Sequence, residues 1–130
     1  MKAIRWLLPA ALMAAFLLAA LVVLSLSVRT NGGEVVILIP RAVSHMPYGM
    51  NFWPSTVRVA LGVNSTVRWI NLDDHVHTVT SSDWSFHSGE MNLYDSFAYT
   101  FRSPGKYVYF CLPHPWMQGI VIVIVDEGKG

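Results

Sequence analysis

Beyond position 33 apolar and polar residues alternate mostly with a period of two, which belongs to half-buried strands rather than to helices. Glu34 to Ile39 reads as a first strand, stopped by Pro40. Ser55 to Ala60 sets Val57 and Val59 on one face, and the turn Leu61-Gly62-Val63-Asn64 leads into Thr66 to Asn71, where Val67 and Trp69 share a face. Thr78 to Ser81 is a short strand. Ser96 to Phe101 collects Phe97, Tyr99 and Phe101 on one side, and the turn Ser103-Pro104-Gly105 passes into Lys106 to Cys111, with Tyr107 and Tyr109 on the side of Cys111. Gly119 to Val125 is apolar on both faces, which predicts a central strand. Arg41 to Pro54 is irregular and predicted to wrap a sheet edge, and Ser82 to Asp95 is a long connection carrying Trp84, Phe86 and Met91. Seven or eight short strands separated by turn residues predict an all-β Greek-key sandwich.

The N-terminal pattern is different. Trp6 to Val28 is an uncharged run of 23 residues flanked by Lys2, Arg5 and Arg29, long enough to cross the roughly 30 Å hydrocarbon layer as a helix. Residues 1–28 are therefore expected to be a membrane anchor or uncleaved signal, 29–33 a linker, and 34–130 the folded domain. The apolar core is longer than a removable signal needs, which favours a retained anchor, while Ser25-Leu26-Ser27 before Val28 offers a cleavage site for the alternative of a removed signal. Basic residues before it put the N-terminus in the cytoplasm and the domain outside the cell membrane, periplasmic or extracellular.

Composition removes several function classes. Beyond Val28 there are seven Lys and Arg against eight Asp and Glu, so no basic patch invites nucleic acid. Cys111 is the only cysteine, which excludes an intramolecular disulfide, a multi-cysteine zinc site and a two-cysteine binuclear copper centre. A cysteine nucleophile is disfavoured, because Cys111 ends a strand and is followed by prolines instead of opening a helix.

Cys111-Leu112-Pro113-His114-Pro115-Trp116-Met117 places a thiolate, an imidazole and a thioether at C-x2-H-x2-M spacing. With an upstream imidazole, this donor set suits one copper ion in a trigonal plane of two imidazole nitrogens and one thiolate sulfur, with a weak axial thioether. Such a site moves one electron. His77 is the upstream candidate, and His75, two residues earlier on the same face of an extended segment, competes with it.

The chain resembles the cupredoxins, in particular the plastocyanin and amicyanin branch of small blue copper proteins. The likeness rests on the C-x2-H-x2-M loop, on the run Thr66 to Ser81 with its pattern V-x-W-x-N-x-D-x-x-x-H-T-V-T-S, and on S-P-G-K-Y-V-Y-F-C, and it covers about Phe52 to Val125. The resemblance implies one type 1 copper per chain, with His77, Cys111 and His114 as equatorial ligands and Met117 as the axial one. It implies that Thr78 and Pro113 surround the ligands, Thr78 tying the two ligand loops together. It implies a solvent-facing edge of His114 ringed by Pro113, Pro115 and Trp116, with Met46, Met50 or Phe52 as neighbours.

The expected function is electron transport between protein redox partners such as cytochromes, an oxidase or other membrane electron-transfer complexes. The chain would act as a monomer that catalyses no bond chemistry alone. Copper delivery or storage is the alternative. His45 and His87 are expected in exposed loops, and the stretch before Phe52 has no assigned role.

Overall fold

The alternating Val, Ile, Trp and Tyr positions become seven strands in the computed structural model, which describes residues 33–45 and 50–127. They are β1 (Glu34–Ile39), β2 (Thr56–Ala60), β3 (Thr66–Asn71), β4 (Thr80–Ser81), β5 (Ser96–Thr100), β6 (Gly105–Phe110) and β7 (Gln118–Ile124). A 3-10 turn, Val43–His45, is the only helical element among the described residues. One sheet has the order β1-β3-β5 and the other β2-β7-β6-β4. β1 lies parallel to β3 with Ile37 opposite Trp69, and β2 lies parallel to β7 with Val59 opposite Val123.

Parallel neighbours cannot be joined by a tight hairpin. Consecutive strands from β1 to β3 accordingly alternate between the sheets, as do those from β3 to β6, and only β6 and β7 follow each other within one sheet. The loop closing that antiparallel pair carries Cys111, His114 and Met117. It is held by strand pairing that runs from Gly105↔Val123 to Phe110↔Gln118.

The core forms where the inward faces of the two sheets meet. Trp69 on β3 packs edge-on against Tyr109 on β6 at 5.3 Å between ring centroids, and Phe52 adds a second edge contact to Tyr109 at 4.8 Å. Aromatic pairs at such distances contribute beyond simple area burial. Gly119, opposite Tyr109 in the β6–β7 register, has no side chain for a steric reason: a Cβ there would lie 2.1 Å from the Tyr109 ring. β7 is central in its sheet, as its two-sided apolarity predicts.

The strand expected at Thr78 to Ser81 begins only at Thr80, because the preceding N–H groups are taken elsewhere. Thr78 N–H donates to Cys111 Sγ and Val79 N–H to Ser88 Oγ. Arg41 to Pro54 does line a sheet edge, since Leu38 of edge strand β1 exchanges two backbone hydrogen bonds with Trp53, of 2.8 and 2.9 Å.

The expected membrane location is corrected. Among the described residues no helix is long and apolar enough to cross a membrane; the Val43–His45 turn has three residues, where a helical span needs about 20. The segment Trp6 to Val28, on which the expected anchor rests, lies outside the described residues, as does most of the linker.

Candidate metal centre

The loop after β6 is closed by its own backbone. Cys111 N–H donates to Met117 O at 3.2 Å and Met117 N–H to His114 O at 2.9 Å, while Pro113 and Pro115 fix φ on both sides of His114. Asn51 Oδ1 accepts from Gln118 N at 2.8 Å and from Phe52 N at 2.8 Å, fastening the far end of the loop to the segment before β2.

His77 comes from the connection between β3 and β4, where it exchanges backbone hydrogen bonds with Met91 of 2.9 and 3.1 Å. Asn71, the last residue of β3, staples this connection from inside. Its Nδ2 donates to Met91 O and His75 O, each at 2.9 Å, and its Oδ1 accepts from Asp73 N at 2.9 Å.

These two loops bring three donors to one point. His77 Nδ1 lies 3.5 Å from Cys111 Sγ, His114 Nδ1 lies 3.6 Å from the same sulfur, and the two Nδ1 atoms are 3.1 Å apart. Three donors about 2.0–2.3 Å from a central ion in one plane stand roughly 3.5–4 Å apart, so the triangle already has nearly the size a transition metal requires. His77, Cys111 and Met117 are fully buried, whereas His114 is half-buried. Imidazole nitrogens with a thiolate and a nearby thioether are the donors that suit copper.

Hydrogen bonds outside the donors orient them. Thr78 N–H donates to Cys111 Sγ at 3.3 Å, and Thr78 Oγ1 accepts from Leu112 N at 2.9 Å, so one residue ties the two loops together at both ends. Asp73 Oδ2 accepts from His77 Nε2 at 2.9 Å. An ionised carboxylate can only accept, so the proton sits on Nε2 and leaves the Nδ1 lone pair facing the cysteine. Asp73 is fully buried; its carboxylate also takes Ala42 N at 2.8 Å and Ser44 N at 3.4 Å.

The electrostatics follow from burial and these bonds. Burial alone would raise the Asp73 pKa, but hydrogen bonds from His77, Ser44 and Ala42 outweigh it and hold the carboxyl well below the usual carboxylate range. Burial lowers His77, against the opposing pull of Asp73, and lowers His114, with the neighbouring His77 acting the same way. Both rings are thus biased to the neutral, metal-binding form. Burial pushes the Cys111 thiol up, against the hydrogen bonds at its sulfur, so the metal-free cysteine holds its proton until a cation displaces it.

Other sequence candidates fall elsewhere. His75 is exposed and its Nδ1 pairs with Asp74 at 2.9 Å, so it takes no part in the triangle. His87 is exposed and shares a 2.8 Å hydrogen bond with Thr80 Oγ1. Pro113, Pro115 and Trp116 are exposed around His114, with Trp116 edge-on to that ring at 5.2 Å. Phe52 is not a surface neighbour but a core residue, Met50 is half-buried, and Met46 lies outside the described residues. Asp73, Asn71 and Asn51 were missed by sequence reasoning as site residues. For Asp73 a signal existed: a carboxylate four positions before a candidate ligand histidine, in a run where side chains must cap a turn.

The sandwich and this site define a cupredoxin. Residues 42–124 match the copper binding proteins of the plastocyanin/azurin family, and the chain belongs to that family, with copper as its cofactor. Amicyanin of Paracoccus versutus is 36% identical over 73 residues, which cover 52% of this chain and 55% of that protein. A purple cupredoxin from Nitrosopumilus maritimus matches in structure with a TM-score of 0.64 at 30% identity, covering 69% of this chain and 99% of that one. The Cu(I) form of an amicyanin mutant gives 0.59 at 27% identity, over 72% of this chain and 85% of the other. The chain spans between 55% and 65% of the length of the amicyanins it matches in sequence.

Proposed function

We propose that the folded domain, 34–130, is a type 1 blue copper protein that carries single electrons between protein redox partners and catalyses no bond chemistry itself. His77, Cys111, His114 and Met117 would hold the copper, the two imidazoles and the thiolate as the strong donors and the Met117 thioether as the weak one. The observation that carries this reading is the triangle of His77 Nδ1, Cys111 Sγ and His114 Nδ1, with sides of 3.1 to 3.6 Å, in a largely buried site. When bound, copper supplies a one-electron couple.

The protein's part is to hold the donors still and dry. Asp73 fixes the His77 ring and tautomer, Thr78 N–H offsets charge on the Cys111 sulfur, and the Thr78–Leu112 hydrogen bond keeps the two loops in register. Rigid donors reduce the rearrangement that accompanies a change of charge. His114 alone of the three is partly open to solvent, which makes it the route for the electron. The surrounding Leu112, Pro113, Pro115 and Trp116 form an apolar rim suited to brief docking by a small contact area.

Delivery or storage fits less well, because an acceptor must reach the sulfur and Cys111 is fully buried. The test is repeated reduction and reoxidation of the copper-loaded chain with a Cu(I) chelator present. A carrier keeps its copper through many cycles. Loss of the metal to the chelator on the first reduction would favour delivery and overturn the proposal.

A further inference from the structure

A second cluster of metal-binding side chains stands at the surface, outside the site already described. One donor atom each from His45, Asp74 and His75 lies within 4.8 Å of the others, and all three residues are exposed. The rings of His45 and His75 meet edge-on, with centroids 4.5 Å apart and planes at 89°, and His75 Nδ1 is 2.9 Å from Asp74 Oδ1.

The residues come from segments about thirty positions apart, and buried groups hold those segments together. His45 ends the Val43–His45 turn, whose Val43 is fully buried in the core. The Asp73 carboxylate accepts from Ala42 N and Ser44 N on that turn, which pins it to the residue beside Asp74. On the other side Asn71 Nδ2 grips His75 O at 2.9 Å. Only the side chains need to adjust, because the backbone beneath them is fastened from both directions.

We infer that His45, Asp74 and His75 form a second metal site for one divalent ion of the zinc, nickel or copper(II) class. Two imidazoles and a carboxylate are the donors those ions prefer over calcium or magnesium, which favour all-oxygen ligands. The side chains need to adjust in two directions, since donors about 2.0–2.2 Å from a tetrahedral ion stand roughly 3.3–3.6 Å apart: the 2.9 Å contact of His75 with Asp74 opens slightly and the wider separations, up to 4.8 Å, close. Exposure leaves the remaining coordination positions to water. A site without sulfur and open to solvent exchanges its ion readily, in contrast to the buried triangle.

The full chain is loaded with one equivalent of Cu(I) and titrated with Zn2+ by calorimetry, while 1H–15N spectra are recorded. One further equivalent of Zn2+ is expected to bind, with shifts centred on His45, Asp74 and His75. His45→Ala and His75→Ala should each weaken that binding at least about tenfold, and His87→Ala, at an exposed histidine outside the cluster, should leave it unchanged. Absence of saturable zinc uptake, or uptake indifferent to both His45→Ala and His75→Ala, overturns the inference. Occupancy of the buried site is read separately from the visible absorption of a Cu(II)-loaded sample. A colourless chain that still takes up zinc through His45 and His75 therefore refutes the electron-transfer reading alone.

Discussion

His77 and His114 face Cys111 across a largely buried triangle whose edges are 3.1 to 3.6 Å, whereas His45 and His75 meet edge-on at the surface beside Asp74. Each cluster has two imidazoles and one further donor. In the buried one that donor is a cysteine sulfur, protonated until a metal binds, between two strands that pair with each other; in the exposed one it is a carboxylate in the connection between β3 and β4. One residue touches the support of both, because Asp73 accepts from His77 Nε2 and from the backbone of the turn that carries His45. Both clusters rest on fastened backbone, so what sets them apart is burial and the cysteine sulfur.

Removing that shared support should have the broadest effect. Asp73→Ala leaves the His77 N–H and two backbone N–H groups without their buried acceptor. Copper affinity is expected to fall about 10- to 100-fold, and zinc binding at His45 and His75 should fall with it, both read by competition with a chelator of known affinity. Loss at one cluster with the other untouched would break the link between them.

Gly119→Ala separates the two regions instead. The added Cβ would strike the Tyr109 ring, and over-packing a core of this kind costs about 1–3 kcal/mol. The denaturation midpoint of the copper-free chain should drop accordingly. Zinc binding at the surface cluster, measured below the new midpoint, should be unchanged.

The proton balance distinguishes the clusters further. Burial raises the Cys111 thiol pKa in the metal-free protein, so copper uptake must release that proton. Below the raised pKa, copper affinity should climb about tenfold per pH unit and then level off above it. The two histidines add little to the slope at neutral pH, because burial lowers both of them. Chelator competition between about pH 6 and 8 checks the slope, and Cys111→Ser should flatten it.

The smallest effect belongs to a pair remote from either cluster. Glu34 on β1 holds Arg68 on β3 through two contacts of 2.8 and 2.9 Å, and the hydrogen bond from Arg68 lowers the Glu34 pKa against slight desolvation. A lowered carboxyl pKa stabilises the fold above its unfolded value, and that contribution fades as pH falls through the folded value. The pair is solvent-exposed, so Glu34→Gln should shift the midpoint only slightly near neutrality, and added salt should remove the difference.

Much of the fold was legible because half-buried strands write their burial into the sequence. The boundaries of Glu34–Ile39 and Thr66–Asn71 were readable to the residue, and Tyr109 and Cys111 declared a common face. Strand β4 was less legible, since side chains and the cysteine sulfur take the N–H groups that a ladder would use. The candidate ligands were visible as donor types at short spacing. Their support was not: Asn51, Asn71 and Asp73 act on groups up to 67 positions away, and such residues resemble ordinary turn formers until the chain is folded. The nearness of His45 to His75 was hidden for the same reason.

If Cys111 and the two histidines of the buried triangle hold one copper ion for electron transfer, the metal must take on their spectroscopic signature. The chain is loaded with one equivalent of Cu(II) and its visible absorption and electron paramagnetic resonance are recorded, with Cys111→Ser alongside. Intense thiolate-to-copper absorption and a narrow copper hyperfine splitting, both absent from the variant, are the predicted result. A chain that stays colourless, or one whose intense absorption survives Cys111→Ser unchanged, would contradict it.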